Sequence, residues 1–464
     1  MDVLRGRLMK KHLHKFETTL WLLIKGILYL SMMAIFVFVL GKNSIGLTRL
    51  SRTLGITLST FVIVGLLFLS VYGKYDVGRR KSKPIIYSLV LATFCTDIVT
   101  YLQLMIMRTN AERTFRFENI GLLMMAFVMQ ILFIVIFTYG GNWLFFKIHE
   151  PEKCCVITSS QKSLDEISYA IRKFKKQYRI QEVLDYKRTD LKEFIKHADT
   201  VFAYDVPIER RTEILRMCYK YKVNVYYNPD VEDVMGMNAE KYVLDDLYLI
   251  NKNVKAMTME QRIVKRLMDI FIPLVLGIIS SPIWLGAMLA VKLYDGGPIL
   301  FKQERATING RKFKVYKLRT MKVDAEIKSA TKDDNRITKP GRFLRKTRID
   351  EIPQLLNVLK GDMSFVGPRP EMMKNVMEYT KDIPEFRYRL RMKAGLTGYA
   401  QIAGKYNTTP KDKLIMDMMY IEQFSILKDI QLIFQTVIVL LKKDSTEGFG
   451  VTSDKRFVFQ EFRN

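Results

Sequence analysis

Cysteine is scarce in this chain. Its 464 residues hold four, Cys95, Cys154, Cys155 and Cys218, none in CxxC spacing, and Cys154 and Cys155 fall in a run that reads as a buried strand. A disulfide framework and a structural zinc site are thereby excluded, leaving reduced cytosolic thiols as the expectation. Acidic residues are also in deficit, 47 against 74 Lys and Arg, for a net charge of +27. Such a surplus suits anionic partners: lipid headgroups, nucleotides, pyrophosphates or nucleic acid. Nucleic acid is set aside, because the cations are interleaved with apolar stretches and no nucleic-acid motif appears. No small-residue cleavage site follows the basic N-terminal residues, so a retained first anchor is expected in place of a signal peptide.

Long apolar runs are what the chain has in quantity. Leu20 to Leu40, Thr53 to Gly73, Ile85 to Met107 and Ile120 to Phe146 each approach the ~20 residues a helix needs to cross a bilayer. They predict a four-span transmembrane bundle over residues 1–150. Arg5, Arg7, Lys10, Lys11 and Lys15 precede the first span, and Lys74, Arg79, Arg80, Lys81 and Lys83 separate the second from the third. The other loops carry fewer cations (Lys42, Arg49 and Arg52; then Arg108, Arg113 and Arg116, offset by Glu112 and Glu118), so both ends of the bundle are expected on the cytoplasmic side. Asp97 lies inside the third span, where an acid faces a partner or a cavity; helix packing and a transport or binding role both remain open.

Residues 151–252 change character. Short β-rich runs (Cys154 to Ile157, Thr200 to Ala203, Val223 to Tyr227) alternate with amphipathic stretches (Leu164 to Gln177, Ile208 to Tyr221), which predicts a small doubly wound, Rossmann-like α/β domain. Its first turn reads Thr158-Ser159-Ser160-Gln161-Lys162-Ser163 and lacks the glycines that let a pyrophosphate approach the backbone. A regulatory or assembly role is expected for it ahead of nucleotide binding. A fifth apolar stretch, Phe271 to Leu293, contains Pro273 and Ser281-Pro282 and has cations on both flanks (Lys265 and Arg266 before; Lys292, Lys302, Arg305, Arg311 and Lys312 after). A re-entrant helix over about 270–293, bent at Ser281 and Pro282, satisfies both facts; a kinked fifth span is the alternative.

The remaining polar region, in a domain spanning 253–464, spaces cations and carboxylates in series: Gln303-Glu304-Arg305, Lys317-Leu318-Arg319-Thr320-Met321, Asp333 to Arg336, Gly341 to Arg345, Asp350-Glu351-Ile352-Pro353-Gln354 and Gly367-Pro368-Arg369-Pro370. Ile352, Leu355, Leu356 and Leu359 recur at helical spacing and Pro353 suits a first turn, which puts Asp350 at or near a helix N-cap. A plain cap is one reading. A phosphate-facing carboxylate is the other, because helix N-termini attract phosphate and Arg342, Arg345 and Arg348 crowd the approach. Two prolines fix φ on either side of Arg369, which can preset its guanidinium for phosphate or form an ordinary turn. Asp429 to Lys443 has an apolar face suited either to the membrane surface or to a core.

From about Val264 to Gly448 this order of motifs resembles the polyprenyl-phosphate sugar-1-phosphate transferases, also called bacterial sugar transferases or monotopic phosphoglycosyl transferases. The bundle and α/β domain in front resemble the longer, hexose-1-phosphate branch. One departure is Ala394, where the family segment often has proline. The resemblance implies a membrane protein of α plus α/β class with a mainly helical catalytic domain. Asp350 would be the nucleophile and Glu351 its essential neighbour, both near a Mg²⁺ ion. Lys317, Arg319, Arg345 and Arg369, with Gln303 and Arg305, would contact phosphate and nucleotide. The implied reaction passes a sugar-1-phosphate from a UDP-sugar, UDP-glucose or UDP-galactose, to undecaprenyl phosphate through an aspartyl phosphosugar. UMP would be released and cell-surface polysaccharide assembly would begin. The expected partners are the donor, the polyprenyl phosphate and membrane lipids, with self-association left open. The expected place is the bacterial inner membrane, catalytic domain to the cytoplasm. A non-catalytic assembly or regulatory protein of the same pathway is the alternative, and a glycosyltransferase that moves the sugar alone would need a nucleotide-sugar domain and base that the sequence does not display.

Overall fold

The computed structural model describes residues 17–73, 75–78, 80–112, 117–252, 257–323, 334–402 and 409–441. The five N-terminal cations, Lys74, Arg79, Arg113, Arg116, Asp333 and Lys443 lie outside them. The chain forms two compact units that part between Asn228 and Pro229.

In the first unit, four long helices stand where the apolar runs predict them: α1 (Glu17–Gly41), α2 (Arg52–Tyr72), α3 (Ser82–Glu112) and α4 (Ile120–Ile148). Their lipid-suited faces are bare, with Leu22, Phe38, Ile63 and Ile136 all more than half exposed. Polar groups turn inward, as a helix in hydrocarbon requires. The buried stripe of α4 recurs every fourth residue as Ala126, Gln130, Ile134, Thr138 and Asn142. Asp97 meets this stripe: Gln130 Nε2 donates to its Oδ1 at 3.2 Å and to the Met32 carbonyl at 3.1 Å. Its partner is an amide, which fits a packing contact between spans.

A four-stranded parallel sheet follows in the order β2-β1-β3-β4, with β1 (Glu152–Thr158), β2 (Tyr178–Asp185), β3 (Thr200–Tyr204) and β4 (Asn224–Tyr227). Helices α5 (Gln161–Arg172), α6 (Leu191–His197) and α7 (Ile208–Tyr221) connect the strands. Central β1 buries its last five residues, as a strand covered on both faces must, whereas edge strand β2 alternates and stays half exposed. The turn after β1 is closed by the chain itself. Ser160 caps α5 by accepting from Ser163 N, and the Ser159 and Ser163 hydroxyls both donate to Asp205 Oδ2, at 2.8 and 2.6 Å. A carboxylate thus occupies the side of the turn where a phosphate-binding fold would need free donors.

The second unit opens with a short helix, α8 (Val231–Gly236), and a hairpin of β5 (Glu240–Leu244) and β6 (Leu247–Asn251). The long helix α9 (Met259–Asp295) comes next. Its N-terminus is held by a reciprocal capping box between Thr258 and Gln261, and Gly296 in the left-handed region (φ +69°) ends it. Thirty-seven residues make it ~55 Å long if straight. Its buried residues fall near the two ends, Lys265, Asp269 and Pro273, then Ala287 and Val291. The apolar stretch between, 274–286, buries none. Pro282 cannot supply the N–H that the Ile278 carbonyl would accept, and the Ser281 hydroxyl donates to that carbonyl instead, at 2.7 Å. Together with α1 to α4 this gives, among the described residues, five helices long and apolar enough to cross a membrane.

Beyond α9 lie an antiparallel pair, β7 (Leu300–Ala306) and β8 (Lys312–Leu318), and helices α10 (Lys339–Thr347) and α11 (Gln354–Lys360). Strand β9 (Ser364–Val366), helix α12 (Met373–Asp382), a 3₁₀ run Pro384–Arg391 and strand β10 (Gly395–Thr397) follow, then α13 (Pro410–Glu422) and α14 (Ile426–Leu441). One core gathers Phe313 and Val315 of β8, Leu355 and Val358 of α11, Phe365 and Val366 of β9, Tyr420 of α13 and Leu432 of α14. A smaller cluster packs Ala287 and Val291 of α9 on Leu318 and Leu344. Helix α14 therefore takes part in the core through one face and leaves Leu427 79% exposed on another.

Candidate active site

The β7–β8 register decides which side chains can meet. Gln303 pairs with Val315, Phe301 with Lys317 and Arg305 with Phe313, so Gln303, Arg305 and Lys317 stand on one face of the hairpin. Asn357, wholly buried, fixes α11 to that hairpin: its Oδ1 accepts from Tyr316 N at 3.0 Å and its Nδ2 donates to the Lys314 carbonyl at 2.8 Å. The three residues Ile349–Glu351, just ahead of α11, form a single 3₁₀ turn. Asp350 is inside this turn. The N-cap of the turn is Arg348, a non-glycine residue in the left-handed region (φ 57°), where backbone strain is characteristic of functional turns.

The two adjacent carboxylates have opposite environments. Lys317 Nζ donates to Glu351 Oε1 at 2.7 Å, and Arg348 lies 3.8 Å from Oε2. Burial alone would raise the Glu351 carboxyl, but Lys317 and Arg369 outweigh it and hold it at about 2. Asp350 is only 8% exposed and, among the described residues, accepts no side-chain hydrogen bond. Burial, then the charge of Glu351, push it up to about 6, against the pull of Lys317 and Arg345. Near neutral pH it is largely ionised, poorly solvated and, among the described residues, without an ion pair, which is the state that favours nucleophilic attack.

The candidate residues are distributed unevenly around this pair. Lys317, Arg345, Arg348 and Arg369 all act on it, and the charge of Arg305 reaches Glu351. Arg345 is oriented by donating to Thr320 Oγ1 at 2.8 Å, and Gln303 Oε1 orients Arg305 at 2.6 Å. Arg319 is engaged elsewhere. It is 7% exposed, paired with Asp295 at the end of α9, and donates to the Pro298 carbonyl at 2.6 Å. Ser281 and Pro282 lie in the bare middle of α9, apart from these charges.

Loop Gly367–Pro370 is seated by close backbone contact. Gly367 N donates to the Thr397 carbonyl and Gly395 N to the Pro368 carbonyl, at 2.9 and 2.8 Å. A Cβ on Gly395 would lie 2.1 Å from Gly367 N, so only glycine fits. At Ala394, the departure from the family pattern has a use: its N–H, which proline would lack, donates to Thr307 Oγ1 at 3.1 Å. Lys265 Nζ, buried beneath the loop, binds Asp429 at 2.5 Å, the Val366 carbonyl at 3.0 Å and Tyr420 Oη at 3.2 Å. Asp269 accepts from Phe365 N and Ser364 Oγ, at 2.8 and 3.0 Å. Sequence reasoning missed this support, along with Glu371, Arg389 and Asp417. None belongs to a local motif, and the signal available was a charge in an otherwise apolar stretch, as at Asp429.

Among the described residues no group of three or more His, Cys, Asp or Glu side chains is disposed to hold a metal ion. Asp350, which accepts no side-chain hydrogen bond among the described residues, and Glu351 are the two carboxylates that would hold a Mg²⁺ ion whose shell substrate phosphates and water completed.

Residues 260–443 match the family model described as bacterial sugar transferase. The chain is 39% identical over 189 residues to a UDP-glucose:undecaprenyl-phosphate glucose-1-phosphate transferase of Caulobacter vibrioides, covering 39% of this chain and 71% of that protein. It is 40% identical to the Escherichia coli protein of the same name, over 38% of this chain and 40% of the relative. A UDP-N-acetylgalactosamine-undecaprenyl-phosphate N-acetylgalactosaminephosphotransferase of Aeromonas hydrophila is 37% identical over 40% and 44%. The alignments thus span less than half the length of the latter two relatives. With the matched segment reaching from the first turn of α9 into α14 and enclosing every residue of the carboxylate site, the chain belongs to the bacterial sugar transferase family.

Proposed function

We propose that this protein transfers a sugar-1-phosphate from a UDP-sugar to undecaprenyl phosphate by two displacements at Asp350. The observation that carries the reading is the contrast within one turn: Glu351 is neutralised by Lys317 and Arg348, while Asp350 beside it is buried, without an ion pair among the described residues, and largely ionised near neutral pH. In the first displacement an Asp350 carboxylate oxygen attacks the β-phosphorus of the donor. The bond from that phosphorus to the bridging oxygen breaks, and UMP leaves with the bridging oxygen and the electron pair. In the second, an oxygen of the lipid phosphate attacks the same phosphorus and Asp350 leaves as a carboxylate, yielding a polyprenyl diphospho-sugar. Lys317, Arg345, Arg348 and Arg369 offset charge on the non-bridging and leaving oxygens. Asp350 and Glu351 would hold Mg²⁺, which when bound adds further neutralisation of the pyrophosphate.

The names of the relatives support UDP-sugar and undecaprenyl phosphate as substrates, and the sugars in those names differ. Glucose or galactose is the donor sugar we propose, with the site on the cytoplasmic face of the bacterial inner membrane. Both ends of α9 pack within the same unit, Arg266 donating to the Val358 and Leu359 carbonyls and Asp295 pairing with Arg319, which supports a re-entrant course. Thiol labelling of Lys381→Cys from the cytoplasmic side only is the expected outcome, and labelling from outside would favour a fifth crossing.

Asp350→Asn tests the chemistry. The purified variant should release no UMP from a panel of UDP-sugars with Mg²⁺ and detergent-dispersed undecaprenyl phosphate, a loss of about a thousandfold or more. Unimpaired turnover in that variant would remove Asp350 from the role. No UMP from any donor with the unaltered chain would favour a non-catalytic assembly protein.

A further inference from the structure

Arg369 lies between two prolines, so its own N–H is the single amide donor of Pro368-Arg369-Pro370. That donor reaches Asp417 Oδ1 of α13 at 3.2 Å. Its carbonyl accepts from Arg389 Nη2, of the 3₁₀ run, at 2.7 Å. Arg389 and Asp417 in turn pair with each other at 2.5 Å and are 2% and 1% exposed. Both backbone polar groups of one residue are therefore gripped by the two halves of a buried ion pair. Glu371 extends the grip: it lies 3.9 Å from Arg389, 3.7 Å from Arg305 and 3.5 Å from Lys413, and its carbonyl accepts from Ala306 N. The guanidinium of Arg369 is left out of this network. Among the described residues it has no hydrogen bond or ion pair, Arg369 is exposed, and its charge acts on Glu351.

We infer that Arg389 and Asp417 are positioning residues that fix the Arg369 backbone and so aim its free guanidinium at the donor phosphates beside Asp350 and Glu351. A buried ion pair is a weak stabiliser compared with a well-packed apolar pair, so stability alone gives little reason for one here. What it supplies is direction: a backbone held at both polar groups cannot rotate about the peptide planes, and a displacement of about 1 Å at a phosphate contact is enough to cost on the order of a hundredfold in rate. The proposal rests on the reaction given above, and the following experiment separates the two.

UMP release by the full chain in detergent is measured for Arg369→Ala, for the double variant Arg389→Leu with Asp417→Leu, which leaves no unpaired charge, and for all three substitutions together. Thermal melts and size-exclusion profiles accompany each. Arg369→Ala and the double variant should each lower kcat about a hundredfold with the donor KM within about threefold. The triple variant should lose no more than Arg369→Ala alone, because the clamp acts only through that side chain. Asp417→Asn, which keeps the volume and the acceptor for Arg369 N–H, should retain the fold and lose about tenfold or less. Multiplying losses in the triple variant, or unfolding of Asp417→Asn, would overturn the positioning role while UMP release by the unaltered chain still upheld the reaction. Neither UMP release nor UMP binding by the unaltered chain would sink both.

Discussion

Two turns in this molecule compete for the description of phosphate site, and they differ in what they leave free. The turn after β1 sits where doubly wound folds bind nucleotides, yet two of its three serine hydroxyls are spent on Asp205, whose charge would repel a phosphate, and the third caps α5. Loop Gly367–Pro370 has no hydroxyl donors, and both backbone groups of Arg369 are engaged, but it presents a guanidinium that is unpaired among the described residues and whose charge acts on Glu351. Fold topology points to the first turn and side-chain chemistry to the second. On the function proposed above the second prevails, because a ligand needs groups that the protein has not already satisfied.

The sharpest way to break this contrast is at the glycines that seat the loop. Gly395→Ala puts a methyl against the Gly367 amide and should abolish measurable UMP release and lower the Tm by several degrees, about 1–3 kcal/mol or more. Normal activity there would mean that the loop's close seating is irrelevant.

A smaller effect concerns proton balance at Asp350. Its carboxyl is raised to about 6 in the folded protein from 3.8, so its contribution to stability is fully present below about 4 and lost as the pH rises through 6. Asp350→Asn should consequently stabilise the fold at pH 7.5 by about 3 kcal/mol at most, seen as a raised melting temperature, with the advantage vanishing toward pH 4. The kcat/KM of the unaltered chain should fall below pH 6 as Asp350, the proposed nucleophile, takes up its proton. An advantage that stayed flat with pH would contradict the burial of a charged Asp350.

The smallest expected change lies at the other turn. Asp205→Ala should leave kcat/KM within about twofold while removing two hydroxyl hydrogen bonds, about 1–2 kcal/mol of stability. A large loss of activity would return the α/β domain to the donor site.

Much of this was legible in the sequence where information is local. The four apolar runs, helix α7 and the strand cores reflect hydrophobic period alone, and Asp350, Glu351, Lys317, Arg345 and Arg369 stand in short motifs. Strand β2 was missed because, at the sheet edge, Tyr178–Asp185 alternates with polar residues and lacks an apolar run. Arg319 shares a motif with Lys317 but, two residues along a strand's end, its side chain turns to Asp295, a partner 24 positions away that no local pattern announces. Arg389 and Asp417 were invisible for the same reason. Three arginines fall within Arg387 to Arg391, and only the fold selects the middle one for burial.

Lys265 joins the membrane helix α9 to the Val366 carbonyl, one residue ahead of the arginine loop, and to Asp429 of α14. Mechanically this ties the helix to the loop through one buried ammonium group. If α9 rolled or shifted, the loop would travel with it, so on the proposed function the height of Arg369 above the lipid is set by how deeply one helix is seated. A bilayer of different thickness would then act on the proposed reaction as a load acts on a linkage, by moving Arg369 toward or away from the plane in which lipid phosphates lie.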